Sequence, residues 1–302
     1  MVVWIGVTVV LLVSSLWILR FVSSQTASTE EAPATNPLFI NYSTGNQEYI
    51  QPESLAAMAV YIAQNVQPQN AQVLTGMLTA EIAAYMVNHV ASGLQVDCTY
   101  CHNVQNFGAD EWDDPDAMAR RVTARAHLRM VGDINRDWLS QLPTLTTEKI
   151  PYGAQVTCAT CHYGEPLPVA WEPELNALPD DFRLPLDNID QLLVTANLDV
   201  SLDTVQINQY TMYHMNTSLN VGCTHCHNSR YFPSWEVPAK YYALHMLNMS
   251  QYIRDTYQVD MNGQEPSCQL CHKGNILPPG AAVNAASLPA VLTANQQTAS
   301  SE

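Results

Sequence analysis

Charge is scarce in this chain, and positive charge is scarcest. Only 13% of the 302 residues are charged, with 12 Lys and Arg against 28 Asp and Glu, for a net charge of −16. That balance excludes nucleic acid as a partner, because its phosphates would repel the protein. It favours a partner with a basic docking face. Cysteine is equally confined. All 8 cysteines fall within four short motifs. None is left over for other structural disulfides, and none sits near the amino terminus to accept a lipid.

The motifs themselves are Cys98–Cys101–His102, Cys158–Cys161–His162, Cys223–Cys226–His227 and Cys268–Cys271–His272. A redox dithiol does not need the histidine. A zinc site usually draws two pairs of ligands from separated segments. Cys-x-x-Cys-His reads instead as covalent c-type haem attachment. Both thiols add to the haem vinyl groups, and the histidine becomes the proximal ligand to iron. The sequence therefore predicts four covalently attached c-type haems. Cys98, Cys101, Cys158, Cys161, Cys223, Cys226, Cys268 and Cys271 bind the cofactor, and His102, His162, His227 and His272 bind its iron. Attachment of this kind occurs outside the cytoplasm, so the chain is expected to be exported.

Residues 2–19, "VVWIGVTVVLLVSSLWIL", contain no charge. As a helix they would span about 27 Å, enough for a hydrocarbon core. Trp4 and Trp17 lie near the ends, where indoles prefer the interface. The expectation is an uncleaved transmembrane anchor over residues 1–22. It makes the protein a single-pass inner-membrane protein with its haem domain on the periplasmic side. Residues 23–50 read as a tether and 51–165 as a half carrying haems 1 and 2. Residues 166–200 are rich in Pro and acids and read as a connector. Residues 201–280 form a half carrying haems 3 and 4, and 281–302 a loosely held tail. The expected fold class is mainly α: a multihaem cytochrome c with two pseudo-symmetric di-haem halves plus one N-terminal transmembrane helix.

Each motif follows a stretch with helical spacing. Before the first, Thr79 is placed to cap, with Ile82, Met86 and Val90 on one face. Before the second, Val122, Ala126, Met130 and Ile134 share a stripe. Before the third, Asp203 is placed to cap a helix carrying Val205, Met212 and Met215 on neighbouring positions. Before the fourth, Tyr242, Met246, Met249 and Ile253 form the stripe. A methionine thioether opposite the proximal histidine raises a haem's potential. A methionine on an apolar stripe is ordinarily core, but its recurrence before every motif favours ligation. Met86, Met130 and Met212 are the candidates for haems 1 to 3. His127 competes with Met130, and His214 and Met215 compete with Met212. For the fourth haem Met246 competes with His245, His127 and His89.

The quoted pattern resembles the tetrahaem cytochrome subunit of bacterial photosynthetic reaction centres over roughly residues 50–280. The resemblance rests on "LTAEIAAYMVNHV…CTYCHN", "HLRMVGDINRDW…VTCATCH", "MYHMNTSLNVGCTHCHN" and "YYALHMLNMSQYIRDTY…CQLCHKG". It implies a helical body with two haem pairs related by a two-fold. It implies electron delivery to the photo-oxidised special pair, with the L and M subunits as partners. A soluble periplasmic donor, a blue-copper protein or a cytochrome c, would feed it. Met86, Met130 and Met212 match the family's methionine ligands. Two departures stand out: the lipid-modified cysteine is missing, and the segment 140–157 lacks the histidine that serves the fourth haem elsewhere. Met246 becomes the choice there. Both departures suit a filamentous anoxygenic phototroph.

The function implied is a membrane-anchored tetrahaem electron-transfer subunit with no substrate chemistry of its own. A membrane-anchored quinol dehydrogenase shares the anchor and the four motifs, and ranks second. A catalytic multihaem reductase needs an open iron and ranks last, because no catalytic constellation accompanies the spare histidines.

Overall fold

The computed structural model describes residues 47–146, 153–173, 178–193, 201–283 and 288–293. They hold helices and turns, with an isolated antiparallel bridge between Gln155 and Ala282 and no sheet among the described residues. Seven helices position the motifs: α1 (Pro52–Gln64), α2 (Thr79–Tyr85), α3 (Pro115–Asp133), α4 (Cys158–His162), α5 (Leu202–Leu219), α6 (Pro238–Tyr257) and α7 (Cys268–His272).

Local chemistry sets the helix starts. Asp114 accepts from the Ala117 N–H at 2.9 Å, and Pro115 opens α3 where no N–H partner is needed. Pro238 opens α6 in the same way. Two expected caps are different. The α2 entrance is held by Glu81, which accepts from the Leu78 N–H at 2.7 Å, while the Thr79 hydroxyl is buried. At α5 the cap is Ser201, accepting from the Thr204 N–H at 3.1 Å, and Asp203 lies inside the first turn. A serine hydroxyl just outside the helix reaches the third N–H; a carboxylate already within it points away.

Two stretches widen to π-helical turns, Met86–Ala91 after α2 and Ile134–Trp138 after α3. The core stripes follow the sequence in part. Ala126, Met130 and Ile134 are buried, but Val122 is 62% exposed and Val205 is exposed, and the first two turns of α3 bury Ala117 and Arg121 instead. The described tail is not loose. Ala282 and Leu292 are buried, and Asn135, itself fully buried, donates to Leu292 O at 2.9 Å and Val156 O at 3.0 Å.

The expected transmembrane helix is corrected. No helix among the described residues is long and apolar enough to cross a membrane. The longest, α3 and α6, carry ionic side chains along their length: Arg120, Arg121, Arg125 and Arg129 on one, Lys240, Arg254 and Asp255 on the other. Such charges would be costly in hydrocarbon. The apolar run at residues 2–19 lies outside the described residues. The transmembrane part of the fold class, the membrane-anchored form of the function, the membrane as partner and the single-pass inner-membrane localisation are accordingly set aside. The described residues fall within one compact unit.

Candidate haem-attachment site

The four motifs fold in two alternating ways. The first and third are single 3-10 turns, Cys98–Tyr100 and Cys223–His225, each entered after a left-handed residue, Gln95 or Asn220. The second and fourth are α-helical turns, α4 and α7, each left through a left-handed residue and a positive-φ glycine: Tyr163–Gly164 and Lys273–Gly274. The chain thus repeats as a pair of motifs, twice.

Hydrogen bonds repeat with it. The Gly164 N–H donates to Gly93 O at 2.8 Å, returning the second motif onto the helical segment before the first. The Gly274 N–H donates to Ser218 O, also at 2.8 Å, doing the same for the fourth and third. Between the pairs the contacts are reciprocal. Thr157, just before Cys158, donates to Gly280 O at 2.6 Å. Ser267, just before Cys268, donates to Ala170 O. Gly280 and Ala170 each lie nine residues past the second cysteine of their own motif. Where the two pairs meet, Cys161 Sγ and Cys271 Sγ approach to 3.1 Å.

Three of the four motif histidines share one orientation device, while Nδ1 of His102 is buried without a hydrogen-bond partner. Nδ1 of His162 contacts Glu165 O, Nδ1 of His272 contacts Asn275 O, and Nδ1 of His227 contacts Phe232 O, each at 2.9 Å. A carbonyl can only accept, so Nδ1 carries the proton and Nε2 keeps its lone pair. That tautomer is the one a metal-binding imidazole uses, and the backbone carbonyl fixes its ring plane. Burial pushes His102 and His162 down to about 4, with neighbouring positive charge adding to the effect, which keeps both neutral and able to ligate. Burial likewise pushes the Cys101 and Cys158 thiols up to about 11. The residues therefore fit covalent haem: each turn sets an imidazole directly beside a pair of thiols.

One apolar cavity of about 510 Å³ joins three of the motifs. It is lined by Cys98, Cys101 and His102, by Cys158, Cys161 and His162, and by Cys268, Cys271 and His272. Met86, Met130 and Met246 line it as well. The third motif lies apart from it, with Cys223 exposed. Met212 and Cys268 each pack against the cluster of Leu184, Leu186, Ile189, Met215 and Leu247. Asn216, one turn beyond Met212, reaches Cys223 Sγ at 3.7 Å.

The competing histidines are engaged elsewhere. His214 stacks on Trp171 with ring centroids 4.6 Å apart, and its Nε2 accepts from the Cys268 N–H at 3.0 Å. Nε2 of His127 donates to Asp260 O at 3.0 Å, and Nε2 of His245 to Trp138 O at 3.0 Å. His89 stacks on Tyr85 at 5.1 Å. Sequence reasoning missed the role of His214 as an acceptor at the start of α7, and it missed Asn135 as the tie between tail and body. The Thr and Ser immediately before the second and fourth motifs were a usable signal, since both residue types cap helices.

The arrangement defines a c-type cytochrome that holds several covalent haems and carries electrons without catalysis. The sequence model of the photosynthetic reaction centre cytochrome C subunit matches residues 20–180, more than half the chain, so the protein belongs to that family. A second model, cytochrome c554 and c-prime, matches residues 222–294. Cytochrome c-554 of Chloroflexus aurantiacus is 28% identical, covering 78% of this chain and 76% of its own. The photosynthetic reaction center cytochrome c subunit of Thermochromatium tepidum is 26% identical over 68% of this chain and 58% of its own. That of Rubrivivax gelatinosus is 24% identical over 78% and 77%.

Proposed function

We propose that the protein is a tetrahaem electron-transfer cytochrome that re-reduces the photo-oxidised pigment pair of a photosynthetic reaction centre. The observation that carries the haem reading is the orientation shared by His162, His227 and His272: Nδ1 donated to a backbone carbonyl, Nε2 left for iron. Family membership supports the reaction-centre role. The partners are then the L and M subunits on one side and a soluble electron donor, a blue-copper protein or a cytochrome c, on the other. The relative in Chloroflexus aurantiacus supports a filamentous anoxygenic phototroph as the source.

Bound haems supply the one-electron chemistry. The chain sets their order and surroundings. The reciprocal clasp brings the second and fourth motifs together at the centre, with the first and third outside. The relay in space therefore runs 1, 2, 4, 3 rather than in chain order. His102, His162, His227 and His272 serve as proximal ligands. Met86, Met130 and Met246 line the cavity with three of them, and Met212 shares a helix face with the residue that reaches Cys223. These four methionines are the distal ligands of the proposal. His214, His127 and His245 are less suited, because Nε2 of each is already hydrogen-bonded.

Two experiments test this. Denatured protein extracted with acidified organic solvent should keep its red colour on the polypeptide; loss of the colour to the solvent removes the thioether attachment. Purified with its reaction centre, the protein should re-reduce bacteriochlorophyll after a flash. Failure to do so with all haems reduced beforehand overturns the reaction-centre role.

A further inference from the structure

The chain holds only 12 basic residues, yet Arg120, Arg121, Arg125 and Arg129 fall within ten positions of α3. Three of them, Arg120, Arg121 and Arg125, line the same cavity as His102. Arg121 is 7% exposed. One of its terminal nitrogens donates to Ala109 O, and its Nε lies 3.5 Å from Asp110 Oδ1. Arg125 meets the same carboxylate oxygen at 2.7 Å. Arg120 donates to Tyr100 O at 2.7 Å and lies 4.3 Å over the Tyr100 ring, inside the first motif. Three guanidiniums against two carboxylates, Asp110 and the cavity-lining Asp97, leave this end of the cavity with a net positive charge.

The other motifs lack this. The third has Lys240, whose ammonium is taken up by Phe232, Pro233 and Ser234 carbonyls at 3.0–3.1 Å. The fourth has Lys273, 3.8 Å from Glu172. Among the motif histidines whose surroundings shift them, His102 is the one beside arginine charge, from Arg121 and Arg125.

We infer that Arg121, supported by Arg125, raises the reduction potential of the haem held by Cys98, Cys101 and His102. This rests on the haem reading above. The physics is direct. Reduction adds one negative charge at the iron. A fixed positive charge in a low-dielectric wall stabilises the reduced form over the oxidised one, and burial limits screening by salt. Arginine suits the task because it stays charged when buried. Arg121 acts through the field it sets, so it is a positioning residue for charge and not an iron ligand.

The test is a redox titration of the haem-loaded full chain, resolved into its components. In Arg121→Gln, one component should move to lower potential by about tenfold in its equilibrium constant, about 59 mV for one electron. The others should stay in place. Arg121→Lys should restore most of the shift, because the charge returns even though the fork geometry does not. Arg125→Gln, which spares the bond to Ala109, should move the same component in the same direction and guards against misfolding of the first variant. All components unmoved in both glutamine variants, or all moved equally, would overturn the inference. A parent protein without covalent haem would instead overturn the reading beneath it.

Discussion

Cys161 Sγ and Cys271 Sγ lie 3.1 Å apart, although 110 residues separate them in the chain. One belongs to each pair of motifs, so the contact marks where the two pairs meet. On the four-haem reading, the second and fourth haems are then the closest pair across the repeats. Replacing Cys158 and Cys161 by Ala should slow electron-spin relaxation of the fourth ferric haem, measured by pulsed EPR. Replacing Cys98 and Cys101 should leave it nearly unchanged. If the first-motif variant slows it as much, the spatial order 1, 2, 4, 3 is wrong.

Met212 is the proposed distal ligand of the third haem. His214, two residues on, is committed to the Cys268 N–H, and Met215 is buried in the apolar cluster against which Met212 is only partly buried. Met212→Ala should alter the spin state or lower the potential of one haem and leave the full haem content attached, because the thioether bonds are untouched. An unchanged spectrum and titration would remove Met212 from the ligands.

Gly280 and Gly274 both sit at positive φ, +77° and +78°. A Cβ on Gly280 would meet the Ala159 backbone at 2.7 Å, whereas one on Gly274 would meet nothing within 4 Å. Gly274→Ala should cost about 1 kcal/mol from backbone strain alone. Gly280→Ala adds a clash between the two motif pairs, and should cost on the order of 3 kcal/mol. Denaturant unfolding of the two variants compares them. Equal losses would mean that the close approach of Gly280 to α4 does not matter.

Asp110 gathers Asn70 at 2.7 Å and Arg125 at 2.7 Å, with Arg121 at 3.5 Å. Partial burial raises its pKa, but the hydrogen bond from Asn70 and the two guanidiniums outweigh that and hold it below its ordinary 3.8. The unfolded chain therefore binds this proton first as pH falls. Stability from Asp110 is whole above about pH 4 and is lost as pH drops through the lowered folded value. Thermal melts from pH 6 to pH 3 should fall more steeply for the native protein than for Asp110→Asn. Parallel curves would show that this carboxylate contributes no acid sensitivity.

Much of the site was legible because covalent chemistry fixes spacing. Cys-x-x-Cys-His needs only local residues, so all four motifs could be read without any fold. Helical periodicity gave part of the buried faces of α3 and α6, namely Ala126, Met130, Ile134 and Ile253, since burial on a helix repeats every third or fourth residue. It misplaced Val122, because the neighbouring Arg121 takes the buried position there, held by Ala109 O and Asp110. The caps at Thr79 and Asp203 were misread for a related reason: several neighbouring residues can cap, and tertiary packing decides which lies just outside the helix. The tail looked loose because Leu288 and Leu292 stand among small residues with no helical stripe, yet they close one core cluster.

The sequence by itself determined what each motif can hold, because bond-forming thiols and the adjacent imidazole lie within five consecutive residues. It also determined the acidic character and the helical class. Only the tertiary structure decided which motif histidines place Nδ1 on a backbone carbonyl, which motifs stand side by side and where the arginines of α3 gather. Those outcomes depend on hydrogen bonds and packing between residues some hundred positions apart, as in Thr157 with Gly280 and Ser267 with Ala170, and no local pattern encodes a partner at that distance.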